Sequence, residues 1–147
     1  MTTGDAIALR DVTEEDLPIL YEHQADPEAV KMGEYRVRDW DAFLAHWRRL
    51  LADPSNVKKA IVLDGELIGI VQAFTYEGRR EVGYLLGRKH WGRGLATLAL
   101  RRLLEIETTR PLFGHVVAHN VASIRVLEKC GFSLQSRDGD GLTLRLG

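Results

Sequence analysis

Arg88-Lys89-His90-Trp91-Gly92-Arg93-Gly94-Leu95-Ala96-Thr97 joins basic side chains to closely spaced glycines. Glycines let a backbone approach an anion and turn its N–H groups toward it, and arginine and lysine add full charges. The chemistry this predicts is the holding of phosphates, and a nucleotide-like cofactor is the first expectation. Structural punctuation is the other reading of the two glycines. The loop lacks the G-x-x-x-x-G-K-[ST] spacing that wraps a triphosphate. Its G-x-G also lacks the third glycine of a dinucleotide fingerprint and lies late in the chain.

Such a loop needs a rigid frame. The apolar run Val82 to Leu86 belongs to an expected buried strand, Glu81 to Leu86, and Leu95-Ala-Thr-Leu-Ala-Leu-Arg-Arg-Leu-Leu-Glu reads as the helix after the loop, with its positive end at the glycines. Upstream, Ile7 to Asp11 reads as a strand, and Thr13-Glu-Glu-Asp16 as a capping box opening a helix to about Ala25. Asp26-Pro27 offers a second helix start. Asp39 caps a helix whose Trp40, Phe43, Leu44, Trp47, Leu50 and Leu51 form one apolar stripe, so both tryptophans are expected in the core. Ala60–Leu63 and Leu67–Val71 form a hairpin through Asp64-Gly65, and Glu77-Gly78 turns the chain into Glu81–Leu86. A strand near Phe113 to Ala118 follows Pro111; Asn120 caps a short helix ending at Gly131; Phe132–Ser136 and Leu142–Leu146 close the chain as a hairpin. Hairpins first, then strands alternating with helices, predict one α/β (α+β mixed) domain with helices covering a mixed sheet.

The 147 residues suffice for a real core. Twenty basic against 21 acidic side chains leave a formal charge of −1, which argues against nucleic acid as a partner. The single Cys130 forms no internal disulfide and is expected as a packed thiol. The N-terminus lacks the pattern of a secretion signal, and no apolar run reaches the roughly 20 residues that span a bilayer. A cytoplasmic protein with no membrane partner is expected. No His, Cys and Asp cluster has metal-ligand spacing, so no metal is expected.

A second motif sharpens the first. His119-Asn120-Val121-Ala122-Ser123-Ile124-Arg125-Val126-Leu127-Glu128-Lys129-Cys130-Gly131-Phe132, following Trp91-Gly92-Arg93-Gly94-Leu95-Ala96-Thr97, resembles the GNAT superfamily of acetyl-CoA-dependent N-acetyltransferases, in particular its RimJ/RimL-like branch. The resemblance runs from about Ile7 to Leu146 and implies a GNAT-like domain over residues 5–147. It implies a mostly antiparallel mixed sheet, with a splayed parallel strand pair, Glu81–Leu86 and Phe113–Ala118, at the cofactor site. It assigns Lys89, Gly92, Arg93, Gly94, Leu95, Ala96 and Thr97 to the pyrophosphate cradle, with Trp91 among the cofactor-binding residues. Backbone near Leu85 and Leu86 would pair with the pantetheine arm, and Asn120 and Ser123 would hold the cofactor.

The implied reaction is direct acetyl transfer to a primary amine, on a protein N-terminus or a small molecule, by a monomer or homodimer. Only a neutral amine attacks, and lysine-type amines with a pKa near 10.4 need a base more than α-amines near 8. Glu81 is the expected base, direct or through water; its other reading is an exposed strand-end carboxylate. Ser123 is the expected partner of the departing thiolate, or else a helix-end hydrogen-bonding residue. Many family members carry tyrosine where this chain has Leu127, and Lys89 stands where glutamine or arginine is usual. Glu34 and Tyr35 are expected substrate contacts. His115 and His119 lie near the site on one strand face. A non-catalytic acyl-CoA-binding module or sensor is the alternative, and Leu127 is its support.

Overall fold

A computed structural model describes residues 7–147. Asp5 and Ala6 of the expected domain, and most of the N-terminus read for a secretion signal, lie outside the described residues. Seven strands form one sheet in the order β1-β2-β3-β4-β5-β7-β6, with β1 Ile7–Asp11, β2 Val57–Leu63, β3 Glu66–Tyr76, β4 Arg79–Leu86, β5 Leu112–Val117, β6 Ser133–Asp138 and β7 Gly141–Leu146. Every neighbouring pair is antiparallel except β4 and β5. Helices α1 Leu17–Ala25, α2 Pro27–Gly33, α3 Trp40–Ala52, α4 Leu95–Ile106 and α5 Val121–Lys129 complete the domain.

Residue alternation along the strands builds two cores. Ile61, Val71, Ala73, Val82 and Leu86 meet Leu95, Ala99, Leu100 and Leu103 of α4 and Leu127 of α5. Ala60 and Ile70 turn the other way and meet Leu17 and Leu20 of α1 and Phe43 and Trp47 of α3. Helices therefore cover both faces, as the sequence implies. On α3 Trp40 stacks on Phe43 with ring centroids 5.9 Å apart, and Tyr21 of α1 meets Phe43 edge-on at 5.0 Å. Trp47 is in the core as expected, whereas Trp40 stays exposed at the rim. Asp39 accepts from the Ala42 N–H at 2.8 Å and fixes the start of that helix.

The first helix starts later than expected. Glu14–Asp16 form a 3-10 turn and Pro18 sits in the first turn of α1, where its missing N–H does no harm. Asp16 accepts from the Thr13 N–H at 2.8 Å and from both terminal nitrogens of Arg10, which holds its carboxyl below the usual range. Five strands are longer than expected: β2 starts at Val57, β3 continues to Tyr76, β4 starts at Arg79, β6 runs to Asp138 and β7 starts at Gly141. The expected strand to Ala118 ends at Val117, so His119 lies in the turn after β5.

The parallel pair is brief. Glu81 aligns with Phe113 and Val82 with Gly114, and pairing stops there. Past Val82 the strands diverge, and α5 packs beside the gap. Leu127 fits there because residue 114 is glycine: a Cβ on Gly114 would lie 2.9 Å from Leu127 Cδ2.

Candidate active site

Two cavities flank the divergence. One, of about 580 Å³, lies on the α4–α5 side. The other, of about 500 Å³, lies on the α3 side among α1, α3, the start of β2, the second half of β3 and the end of β4. Tyr84 and Leu85 of β4 are the residues common to both linings. A group between the splayed strands is therefore reachable from both faces of the sheet.

The larger cavity has the features of an anion site with an apolar arm. Gly92 and Gly94 have φ of 74° and 75°, a left-handed conformation natural to glycine, and a Cβ at either would meet nothing within 4 Å. Gly94 caps α4 without a side-chain hydrogen bond, so the first-turn N–H groups face open space at the positive end of the helix. Beside them, the β4 edge past Val82 has no strand partner among the described residues. A diphosphate at the glycines and an amide-bearing arm along β4 match these donors. Trp91 donates from its indole N–H to the Leu86 carbonyl at 3.0 Å, tying the loop to the end of the strand.

Most of the sequence-predicted cofactor residues line this cavity: Leu85, Leu86, Trp91, Gly92, Gly94, Leu95, Ala96, Thr97, Asn120 and Ser123. Two cradle residues do not. Lys89 points outward to Glu66, 3.0 Å away, and Arg93 lies 3.3 Å from His90 Nδ1. Arg125 and Lys129 of α5 line it instead. They stand one helical turn apart, a spacing that puts two cations on one face. Asn120 caps α5, accepting from the Ser123 N–H at 3.2 Å, which uses only the carbonyl end of its amide.

The two expected substrate contacts lie elsewhere. Tyr35 lines the cofactor-side cavity and donates its hydroxyl to the Gln24 carbonyl at 2.7 Å. Glu34 lines neither cavity and pairs with His119 Nδ1 at 2.9 Å, tying the C-terminal end of α2 to the turn after β5.

Glu81 is buried rather than an exposed strand end, and it too lines neither cavity. Its Oε2 lies 3.0 Å from His115 Nε2, and His115 reaches the cofactor-side cavity. The other ring nitrogen, Nδ1, lies 3.0 Å from the Thr143 hydroxyl. Glu81 thus meets the site through a fixed imidazole.

Tyr84 escaped the sequence reading, although a lone tyrosine inside the apolar run Val82–Leu86 was its signal. Its hydroxyl lies 2.6 Å from Ser123 Oγ and donates toward the Ser123 carbonyl at 3.0 Å. Burial pushes its pKa up to about 12, so it stays protonated. Tyr84 brings a second hydroxyl to the region that Leu127 leaves apolar.

In the α3-side cavity Trp47 is a wall as well as a core residue. Lys58 lies over its ring at 5.8 Å and over Phe74 at 5.0 Å, and donates to the side-chain oxygen of Gln72. Burial, then the like charge of Arg80, pulls the Lys58 pKa down to about 8. Below that pH the folded chain carries a buried ammonium that the unfolded chain keeps in water. The penalty fades as pH rises from about 8 toward the ordinary 10.5, where both states lose the proton. Lys58→Met is therefore expected to raise stability at neutral pH by about 1–3 kcal/mol, with the gain shrinking in alkali. Denaturant melts of both proteins across that range check the sign; a gain that grows with pH contradicts it.

Among the described residues no cluster of three or more His, Cys, Asp or Glu side chains is arranged to hold a metal ion, and no helix is long and apolar enough to cross a membrane. Cys130 is half-buried and directs its thiol to the Thr97 carbonyl at 3.6 Å, as a packed thiol does.

Comparison with known proteins agrees with this geometry. The acetyltransferase (GNAT) domain family matches residues 7–133. The putative ribosomal N-acetyltransferase YdaF of Bacillus subtilis is 28% identical over 110 residues, covering 69% of this chain and 60% of that relative. Among solved structures, AAC(6')-Ib in complex with paromomycin and acetyl-CoA superposes with a TM-score of 0.78 at 27% identity, covering 96% of this chain and 92% of that one. An acetyltransferase from Agrobacterium tumefaciens gives 0.81 at 26% identity, with 96% and 90% covered. With the paired motifs, the splayed strands and the uncapped helix behind them, the chain belongs to the GNAT family of acetyltransferases.

Proposed function

We propose that this domain, residues 5–147, transfers the acetyl group of acetyl-CoA directly to a primary amine. The observation that carries this reading is the gap between β4 and β5, with one cavity on each face and Tyr84 and Leu85 shared between them. Acetyl-CoA enters from the α4 side, its diphosphate on the amides after Gly94 and its arm along β4, and supplies the activated thioester. The amine approaches from the α3 side. Its nitrogen bonds to the carbonyl carbon as the carbon–sulfur bond breaks. The ammonium proton leaves toward Glu81 through His115 or water. Ser123, held by the Tyr84 hydroxyl, donates a hydrogen bond to the departing thiolate, which takes its proton from water. Names among relatives support both acceptor classes: a ribosomal N-acetyltransferase in sequence, and an aminoglycoside acetyltransferase holding coenzyme A in structure.

Thiol release from acetyl-CoA across a panel of peptides and small amines tests the reaction. Turnover with any of them is expected; tight cofactor binding without turnover would favour the sensor reading that Leu127 suggests. Glu81→Gln is expected to slow turnover about 10- to 100-fold at unaltered acetyl-CoA affinity. A rate within twofold of the parent eliminates it as base. Tyr84→Phe should lower kcat about tenfold with little change in KM for acetyl-CoA. An unchanged kcat would leave Ser123 acting without help.

A further inference from the structure

We propose that the acceptor is a carboxylate-bearing primary amine, whose carboxylate docks on Lys58 in the α3-side cavity while its nitrogen reaches the gap at Tyr84. The inference rests on the acetyltransferase reading and concerns the substrate class of that same site.

The cavity is built for negative charge. Its lining carries two full cations, Lys58 and Arg38, against a single carboxylate, Asp53, while burial holds the His23 and His46 imidazoles below their ordinary pKa, as neutral hydrogen-bonding groups. Asp53 is already engaged, accepting from the Ser55 N–H at 2.9 Å and the Ser55 hydroxyl at 2.8 Å. Lys58 is 8% exposed, and among the described residues no carboxylate pairs with it. Gln72 and two aromatic faces hold its ammonium without neutralising it. A buried cation is costly unless an opposite charge meets it, and here the open side of the cavity is where that charge arrives. Nearby Gln24 Nε2 and His23 Nδ1 are buried without hydrogen-bond partners, and both residues line the same cavity.

The register sets the reach. Lys58 aligns with Gln72, and Gln72 with Gly83 of β4. The ammonium over β3 therefore stands about one and a half strand spacings, roughly 7 Å, from the gap past β4. A carboxylate hydrogen-bonded to it, roughly 3 Å nearer, lies about as far from the amine as a glutamate side-chain carboxylate lies from its own α-nitrogen. A polycationic amine, of the kind the aminoglycoside enzymes hold, meets like charge in this cavity instead. The same positive field lowers the pKa of the incoming ammonium and so favours its reactive neutral form.

Matched probes separate charge from shape: glutamate against glutamine, each free and as the first residue of a short peptide, with spermidine and kanamycin as polycations. The glutamate member of one pair is expected to show kcat/KM about 10- to 100-fold above its glutamine partner. Preference in the free pair or in the peptide pair identifies which source supplies the carboxylate. Lys58→Met should erase that preference. Gln72→Glu, which keeps the lysine and gives it an internal partner, should erase it too. Equal rates within both pairs, a preference that survives both substitutions, or faster turnover of the polycations would overturn the proposal while leaving acetyl transfer standing. Acetyl-CoA bound but consumed with no amine would overturn both.

Discussion

Gly94→Val is expected to weaken acetyl-CoA binding at least about 100-fold while the chain still folds, a change isothermal calorimetry measures directly. Gly94 holds φ of 75°, where a β-branched residue is strained by about 1–3 kcal/mol, and its added side chain would occupy the space beside the first amides of α4. No protein atom lies within 4 Å of a Cβ there, so the loss cannot come from a clash inside the protein. It comes from displacing the anion and tilting the donors aimed at it; two charge-assisted bonds at about 1.5–3 kcal/mol each account for the expected factor. Gly139, with φ of 60° in the β6–β7 turn and equally open, is the control. Gly139→Val should carry similar backbone strain and leave affinity intact. Equal loss in both variants would mean strain alone acts, and the cradle assignment would fail.

Gly69→Val is expected to destabilise the fold by about 3 kcal/mol or more, the largest stability effect of any single change considered. Gly69 faces Leu86 across β3 and β4. A Cβ at this position would run into the Leu85 carbonyl oxygen and come within 2.9 Å of Leu86 Cα. Both obstacles are backbone, which no rotamer change relieves. The collision falls where β4 turns toward the basic loop, so a protein that survived would present a shifted edge to the cofactor arm. Urea melts give the stability loss; a midpoint close to that of the parent would show that β4 moves freely there.

The α4-side cavity was far more legible in the sequence than the α3-side one, for a physical reason. Phosphate binding depends on backbone amides, so it leaves its mark in glycines and a helix start that lie consecutively in the chain. The second motif is local as well, with Asn120, Ser123 and Leu127 on neighbouring turns of one helix. The α3-side cavity is assembled across strands. Lys58, Gln72 and Phe74 sit on β2 and β3 in stretches where apolar alternation lapses, and the expected strands stop short at those residues: β2 reaches back to Val57 and β3 on to Tyr76. Hydrophobic periodicity marks strand surface that packs on a helix, and it fades where strand surface is the wall of a cavity. The residues that shortened the strands are the same residues that line the site. Glu81 illustrates the other limit. Its strand was legible, but its burial and its contact with His115 depend on where β5 lies beside it, which no local pattern records.

If acetyl-CoA and amine enter by the two cavities as proposed, openings on opposite sides of one sheet also set the order of traffic. Neither reactant has to depart before the other arrives, and neither blocks the other's route. Initial-rate lines drawn at several fixed amine concentrations should therefore intersect rather than run parallel, and no acetylated form of the protein should accumulate when the thioester is supplied alone.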